Sequence, residues 1–226
     1  MKISFSCFFA IATVFTSIEV NAQYIHDYQG KAYVEQSYTD VQGDPYLISS
    51  WADGTVKFVG NKSINAKLKY DLMKDELLFQ NPKDSSAMVF VNAVEGFSLR
   101  LFKIDESNLS PLLFSNGYPA VDDQTQASFY QVIADGKVKL LKRYHKHIRT
   151  DQAFNSATIT KTFEMIGPFY YTVTDNKITR LKLTQKAITT ALNDKTDQVQ
   201  AFVKNNKIDF KSDRDLAKLF TYYNSL

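Results

Sequence analysis

Cysteine is almost absent from this sequence of 226 residues, and the one example, Cys7, lies close to the N-terminus. A single cysteine forms no intrachain disulfide and cannot build a site of several thiolates around a metal. The sequence also contains no P-loop, G-x-G-x-x-G, H-E-x-x-H, G-x-S-x-G or S-x-x-K pattern, so the common nucleotide and nucleophile motifs are missing. The stability of the chain therefore has to come from a hydrophobic core, and we predict no catalytic residue and no cofactor.

Neither sign of charge dominates the chain. Lysine and arginine together number 27, aspartate and glutamate 24, and the formal net charge is +3 at pH 7. A basic protein that binds nucleic acid usually carries a large excess of positive charge. We therefore predict no nucleic-acid partner.

The N-terminus has the three-part pattern of a secretion signal. Lys2 is followed by an apolar run over 3–18 and by the small-residue sequence Val20-Asn21-Ala22. This pattern predicts a signal peptide over residues 1–22, whose cleavage removes Cys7. The apolar run is interrupted by serine and threonine, and no later run reaches the roughly 18 residues of a membrane helix, so no membrane span is predicted in the mature chain. We expect the chain to be exported.

Alternation of polar and apolar residues is the main signal from about residue 30 to residue 183, and it is typical of half-buried antiparallel strands. Residues 64–70 alternate strictly and are predicted to pair with 75–80. The dipeptides Asp53-Gly54, Asp135-Gly136 and Asp175-Asn176 predict tight hairpin turns, the first joining 47–51 to 55–59. The predicted fold is mainly β (α+β), an antiparallel meander that forms a sandwich or a partly open barrel.

The period changes to that of a helix after residue 183. Thr184 is a predicted cap for a first helix, a second is predicted over 194–204, and Ser212 is the predicted cap of a third. Leu216, Leu219 and Phe220 then follow at helical spacing. Residues 184–226 are therefore predicted to form two or three helices packed on the β domain of 23–183.

The candidate ligand-binding residues come from two features. Residues 104–126 contain three breakers of regular structure and predict a long loop, in which Tyr118 is a candidate aromatic contact, as is Trp51 near the first predicted turn. A second group shares one parity on a predicted strand and consists of Lys137, Lys139, Arg143, His145 and His147. This basic face fits an anion, but it also fits a solvated strand edge that resists aggregation. The two histidines have no third partner, so we predict no metal site.

Strand and helix patterns occur in residues 54–58, 68–71 with 75–79, 129–132, 140–142 and 215–224. These segments resemble those of uncharacterised secreted proteins of Bacteroidota-type bacteria. The resemblance covers most of the mature chain and consists of strand and helix patterns. It implies a periplasmic, outer-membrane-associated or secreted location, and it transfers no catalytic residue.

Three classes of function remain compatible with the sequence. The favoured hypothesis is a non-enzymatic binding or interaction module of the cell envelope, in one version a carrier of a lipid or another hydrophobic ligand held between sheet and helices. A hydrolase of sugar or peptide substrates is the first alternative, because two acids can be brought together from distant strands. A structural assembly component that binds an envelope protein is the second.

Overall fold

A computed structural model describes residues 30–33, 38, 40–100, 111–152, 154 and 158–226, with the side chain of residue 193 excluded. The predicted signal peptide over 1–22 lies outside these residues. The strands are β1 (Gly30–Ala32), β2 (Val41–Gln42), β3 (Ala52–Phe58), β4 (Ser63–Asp71), β5 (Glu76–Gln80), β6 (Ala87–Phe90), β7 (Val94–Arg100), β8 (Leu112–Ser115), β9 (Tyr130–Ala134), β10 (Lys139–Gln152), β11 (Ile159–Thr174) and β12 (Lys177–Leu181). The helices are α1 (Gln185–Ala191), α2 (Thr196–Asn206) and α3 (Asp213–Asn224).

The strands form one open sheet in the order β1-β6-β5-β4-β3-β7-β8-β9-β10-β11-β12. These neighbours are all antiparallel, and β2 pairs parallel with β11 at 161–162. The predicted class, mainly β with an antiparallel sheet and C-terminal helices, is confirmed.

The sheet curls strongly around an aromatic core. The amide of Lys146 in β10 donates to the carbonyl of Leu72, just after β4, at 3.3 Å, although four strands lie between β4 and β10 in the sheet order. The rings of Phe97 and Phe114 stack at 4.7 Å, and Tyr70 meets Phe97 edge-on at 5.3 Å. These rings fill the concave side, which buries the alternate residues of β3, β4 and β7.

The three helices pack on the last strands of the sheet. Leu216, Leu219 and Phe220 of α3 are fully buried, in one cluster with Leu140 and Tyr170 of the sheet. The predicted caps form as expected, since Thr184 accepts from the amide of Ala187 and Ser212 from that of Asp215. The space between sheet and helices is thus occupied by buried side chains.

Two predicted turns are confirmed and one is wrong. Asp135-Gly136 joins β9 to β10, and Asp175-Asn176 joins β11 to β12 with positive φ at both residues. Asp53-Gly54 instead lies inside β3, and the turn after β3 contains Gly60 and Asn61, both with positive φ. A Cβ at Gly54 would lie 2.1 Å from the carbonyl oxygen of Ser98, so this glycine permits a close approach of β3 and β7.

Other boundaries also differ from the sequence prediction. The predicted strand over 47–51 does not form, and the two segments predicted over 159–165 and 169–174 are one continuous strand, β11. The predicted loop over 104–126 contains β8, while its residues 104–110 lie outside the described part of the chain.

Candidate ligand-binding groove

A polar groove crosses the convex side of β3, β4 and β7, opposite the aromatic core. Because side chains alternate across a strand, the residues between the core positions project from this side. The register places Asp53 of β3 opposite Lys67 of β4 and Arg100 of β7. Two residues further along β3, Thr55 lies opposite Asn65 of β4 and Ser98 of β7. We use the name polar groove for the depression lined by these six residues, with Gln80, Asn81, Pro82, Ser85 and Pro111 at its rim.

The polar groove has the volume of a small-ligand site. It encloses about 570 Å³, within the range of roughly 300–1,000 Å³ usual for ligand pockets. Its floor is held by local hydrogen bonds: Thr55 Oγ1 donates to Asn65 Oδ1 at 2.8 Å, and the Thr55 amide donates to Ser98 Oγ at 3.1 Å. The first bond points Asn65 Oδ1 toward Thr55, and no acceptor for the Asn65 NH2 group is found within the described part of the chain.

Hydrogen-bond donors and positive charge prevail in the polar groove. Lys67 Nζ lies 3.0 Å from Asp53 Oδ1, so this lysine and the one carboxylate of the lining neutralise each other. Arg100 is exposed and has no ion-pair partner in the described part of the chain. Its guanidinium is planar with five N–H donors, a geometry that matches a carboxylate or a phosphate.

A second depression continues the polar groove along the same side of the sheet. It encloses about 560 Å³ and shares Thr55 and Ser98 with the first. Lys57 and Glu95 form an ion pair of 3.2 Å at its wall, and Leu113 is exposed on its floor strand β8. The second depression lengthens the path open to an elongated ligand, but its lining is more apolar than that of the polar groove.

The carboxylates of the polar groove bear on whether it could hydrolyse a glycoside. General acid–base hydrolysis of a glycoside uses two carboxyl groups facing one bond. Among the described residues of the lining, one carboxylate is present, Asp53, and it pairs with Lys67. In the described ranges, no three His, Cys, Asp or Glu side chains group closely enough to hold a metal ion.

The aromatic residues proposed from the sequence lie apart from each other. Trp51 is partly buried beside Tyr46, and the Lys69 ammonium lies 5.1 Å from its ring centre. Tyr118 packs edge-on against Tyr130 with ring centres 5.6 Å apart, and burial raises the pKa of its hydroxyl. Neither residue lines the polar groove.

The basic residues proposed from the sequence are not gathered on one face. Lys137 pairs with Asp194 at 2.9 Å, and Lys139 pairs with Asp135. His147 Nε2 lies 3.6 Å from Glu164, and His145 is partly buried. The prediction of one solvated basic face is wrong at Arg143, which is buried.

Arg143 instead belongs to a buried polar cluster that the sequence did not reveal. One guanidinium nitrogen donates to Asp75 Oδ1 at 3.0 Å, to the Phe129 carbonyl at 2.8 Å and to the Tyr70 hydroxyl at 3.3 Å. Burial, the largest single effect, lowers the pKa of Arg143, but the hydrogen bond with Asp75 and the charges of Tyr70, Asp75 and Tyr130 together outweigh it, and the pKa is raised. Burial and then the charge of Asp75 raise the pKa of Tyr70. The cluster joins β10 to the turn between β4 and β5.

The residues of the polar groove were not proposed from the sequence. Asp53, Lys67 and Arg100 are far apart along the chain, and only the pairing of β4, β3 and β7 brings them into one row.

Comparison of the chain with protein-family models, with curated proteins and with solved structures gave no match in any of the three. No helix in the described part of the chain is long and apolar enough to cross a membrane.

Proposed function

We propose that this protein is an exported, non-enzymatic binding module of the cell envelope, and that its polar groove binds an acidic oligosaccharide. The observation that carries the proposal is the position of Arg100, an exposed guanidinium without an ion-pair partner in the described ranges, at the end of a groove rich in donors. Asn65, Lys67 and Gln80 add further N–H donors. A ligand that offers a carboxylate and many acceptor oxygens complements such a lining.

A polar ligand is better supported than a lipid. A hydrophobic ligand needs an apolar cavity. The layer between sheet and helices is filled by buried side chains such as Ile188, Leu192 and Phe220. The polar groove, in contrast, has open volume and a polar lining.

A carbohydrate is better supported than a peptide at this site. Recognition of an extended peptide commonly uses the free edge of a strand. The strands β3, β4 and β7 that form the groove floor each have a neighbour on both sides, so only their side chains face the ligand. The described lining residues are mainly polar and form no deep apolar pocket for peptide side chains, whereas a sugar acid presents hydroxyl and carboxylate groups along its whole length.

The binding proposal is tested by calorimetric titration with trigalacturonate, a short sugar-acid chain. We expect binding that weakens as salt is added. The fully methyl-esterified trimer, which has the same sugars without the charge, should bind at least about tenfold more weakly, because a charge-assisted hydrogen bond contributes about 1.5–3 kcal/mol.

The matched variants are Arg100→Gln and Arg149→Gln. Arg149 is also an exposed strand arginine, but it lies in β10, away from the groove. Arg100→Gln should weaken binding by about tenfold or more and Arg149→Gln should leave it unchanged. Equal affinity of Arg100→Gln and the unchanged protein would contradict the assignment of the groove.

The export proposal has a separate test. Cleavage after Ala22 would give a mature chain that begins at Gln23. N-terminal sequencing of the protein purified from the envelope fraction of its host should therefore start at this residue. A chain that keeps residue 2 and stays in the cytoplasmic fraction would contradict export.

A further inference from the structure

Strand β12 ends the sheet and has an unpaired edge. It pairs with β11 on one side, and no strand in the described part of the chain pairs with its other side. The two-residue turn at Asp175-Asn176 makes Thr174 and Lys177 a hydrogen-bonded pair, and such pairs alternate along an antiparallel ladder. The N–H and C=O groups of Ile178 and Arg180 therefore point away from β11, toward the free edge.

An open surface groove lies beside this edge, outside the filled core, where β11 and β12 meet the flank of α1. It encloses about 690 Å³, with Thr172, Thr179 and Leu181 on the sheet and Ala187 and Ala191 on the helix. The two alanines leave room where larger side chains would fill the space. A strand added to β12 projects every second side chain toward this side of the sheet.

Positive charge surrounds the same groove. Lys182 and Lys186 are exposed, and neither has an ion-pair partner in the described ranges. Arg180 has one acidic neighbour, Asp122, at 3.8 Å. None of the described residues that line the groove is acidic, and the first turn of α1 contains no acidic residue.

We propose that the edge of β12 and the groove beside α1 bind an extended acidic segment of a partner protein by strand addition. The main chain of the segment pairs with Ile178 and Arg180, and its carboxylate side chains project into the groove beside Ala187, toward Lys182 and Lys186. This docking edge is separate from the polar groove on β3, β4 and β7. The protein thus has one surface for a ligand and another for a protein partner.

The test uses fluorescence anisotropy with a labelled eight-residue peptide that alternates valine and glutamate, added to the full mature chain. Two N-methylated versions of the peptide distinguish main-chain pairing from charge attraction. One carries methyl groups on the odd-numbered amides and the other on the even-numbered amides. One version should lose binding, because its methyl groups occupy the paired edge, and the other should retain it. Loss in both versions or in neither would overturn strand addition.

The charge component is tested with the double variant Lys182→Glu, Lys186→Glu. It should weaken binding of the acidic peptide by about tenfold or more. Lys62→Glu is the control, because Lys62 is exposed in the turn between β3 and β4. Absence of any peptide binding, or equal effects of the two charge changes, would overturn the proposal and leave these lysines as protection of an open edge.

Discussion

At the residue scale, Arg143 shows how a buried charge is held in this fold. Its side chain is 5% exposed and its partner Asp75 is 20% exposed, so both charges have lost most of their water. The Phe129 carbonyl and the Tyr70 hydroxyl supply the remaining contacts of one guanidinium nitrogen. Removing one member of such a pair leaves the other buried and uncompensated.

Substitution of Arg143 by methionine is therefore expected to lower the free energy of unfolding by about 3–5 kcal/mol. Arg149→Met is the control: Arg149 pairs with Asp151 at 2.8 Å while 54% exposed, and the loss of an exposed pair costs about 1 kcal/mol or less. Urea unfolding followed by circular dichroism measures both values. Similar losses for the two variants would contradict the special role of Arg143.

The sequence analysis placed Arg143 on a solvated face of its strand because alternation along a strand does not show which elements pack against either face of the sheet. Arg143 has the parity of Leu141, which is fully buried, and not of a solvated face. The register of β10 against β11 also shifts between Arg143 and His145, so parity on one side of this irregularity does not continue to the other. The irregularity in the register leaves no local signal in the sequence.

At the scale of elements, the end of α3 secures the hairpin of β9 and β10. Asn224 Oδ1 accepts from the amide of Val138 at 2.9 Å, and Nδ2 donates to the carbonyl of the same residue, also at 2.9 Å. The side chain thus pairs with Val138 as a neighbouring strand would. Gly136 is needed beside it, because a Cβ there would lie 2.5 Å from the Asn224 side chain.

Asn224→Ala should lower the free energy of unfolding by about 2–3 kcal/mol, because it leaves two backbone groups of a buried residue unpaired. The amide of Val138 should also exchange faster with solvent, which hydrogen exchange measures directly. Asn206→Ala is the control, since the Asn206 side chain is exposed and donates only within its own helix. It should change stability by no more than about 0.5 kcal/mol.

Elements whose signals are local were predictable. The caps at Thr184 and Ser212 depend on residues within one helical turn, and both were placed from the sequence. The prediction of a turn at Asp53-Gly54 was wrong because Gly54 is needed for the close approach of β3 to Ser98, which is more than 40 residues away in sequence. A glycine that permits a close approach and a glycine that permits a turn look the same in sequence.

At the scale of the whole molecule, periodicity predicted the class of fold but not the proposed site. Alternation identifies a sheet with one buried side, and a later helical period identifies the C-terminal layer. The polar groove depends on the order β4-β3-β7, which joins residues 53, 67 and 100 in one row. Strand order is decided by tertiary packing, so the site could be seen only once the register was known.

The buried tyrosines make a prediction for the stability of the whole chain at alkaline pH. Burial and then the hydrogen bond with Asp213 raise the pKa of Tyr170 to about 12, and burial raises the pKa of Tyr130 to about 12. A tyrosine in the unfolded chain has a pKa of about 10. The unfolded state therefore releases these protons first as pH rises, and the native state is favoured less and less between about pH 10 and about pH 12.

We expect the free energy of unfolding to show no loss from these groups below about pH 9 and to fall steadily above about pH 10. Tyr170→Phe removes one of the raised groups, so its stability should fall less steeply over the same interval, although its value near neutral pH is lowered by loss of the bond to Asp213. Urea unfolding at a series of pH values, with tyrosinate absorbance of the native protein recorded in parallel, measures both slopes. The prediction is contradicted if Tyr170 of the native protein ionises near pH 10 and the stability of Tyr170→Phe falls with pH as steeply as that of the unchanged protein. Ionisation of this buried hydroxyl would then not be coupled to folding.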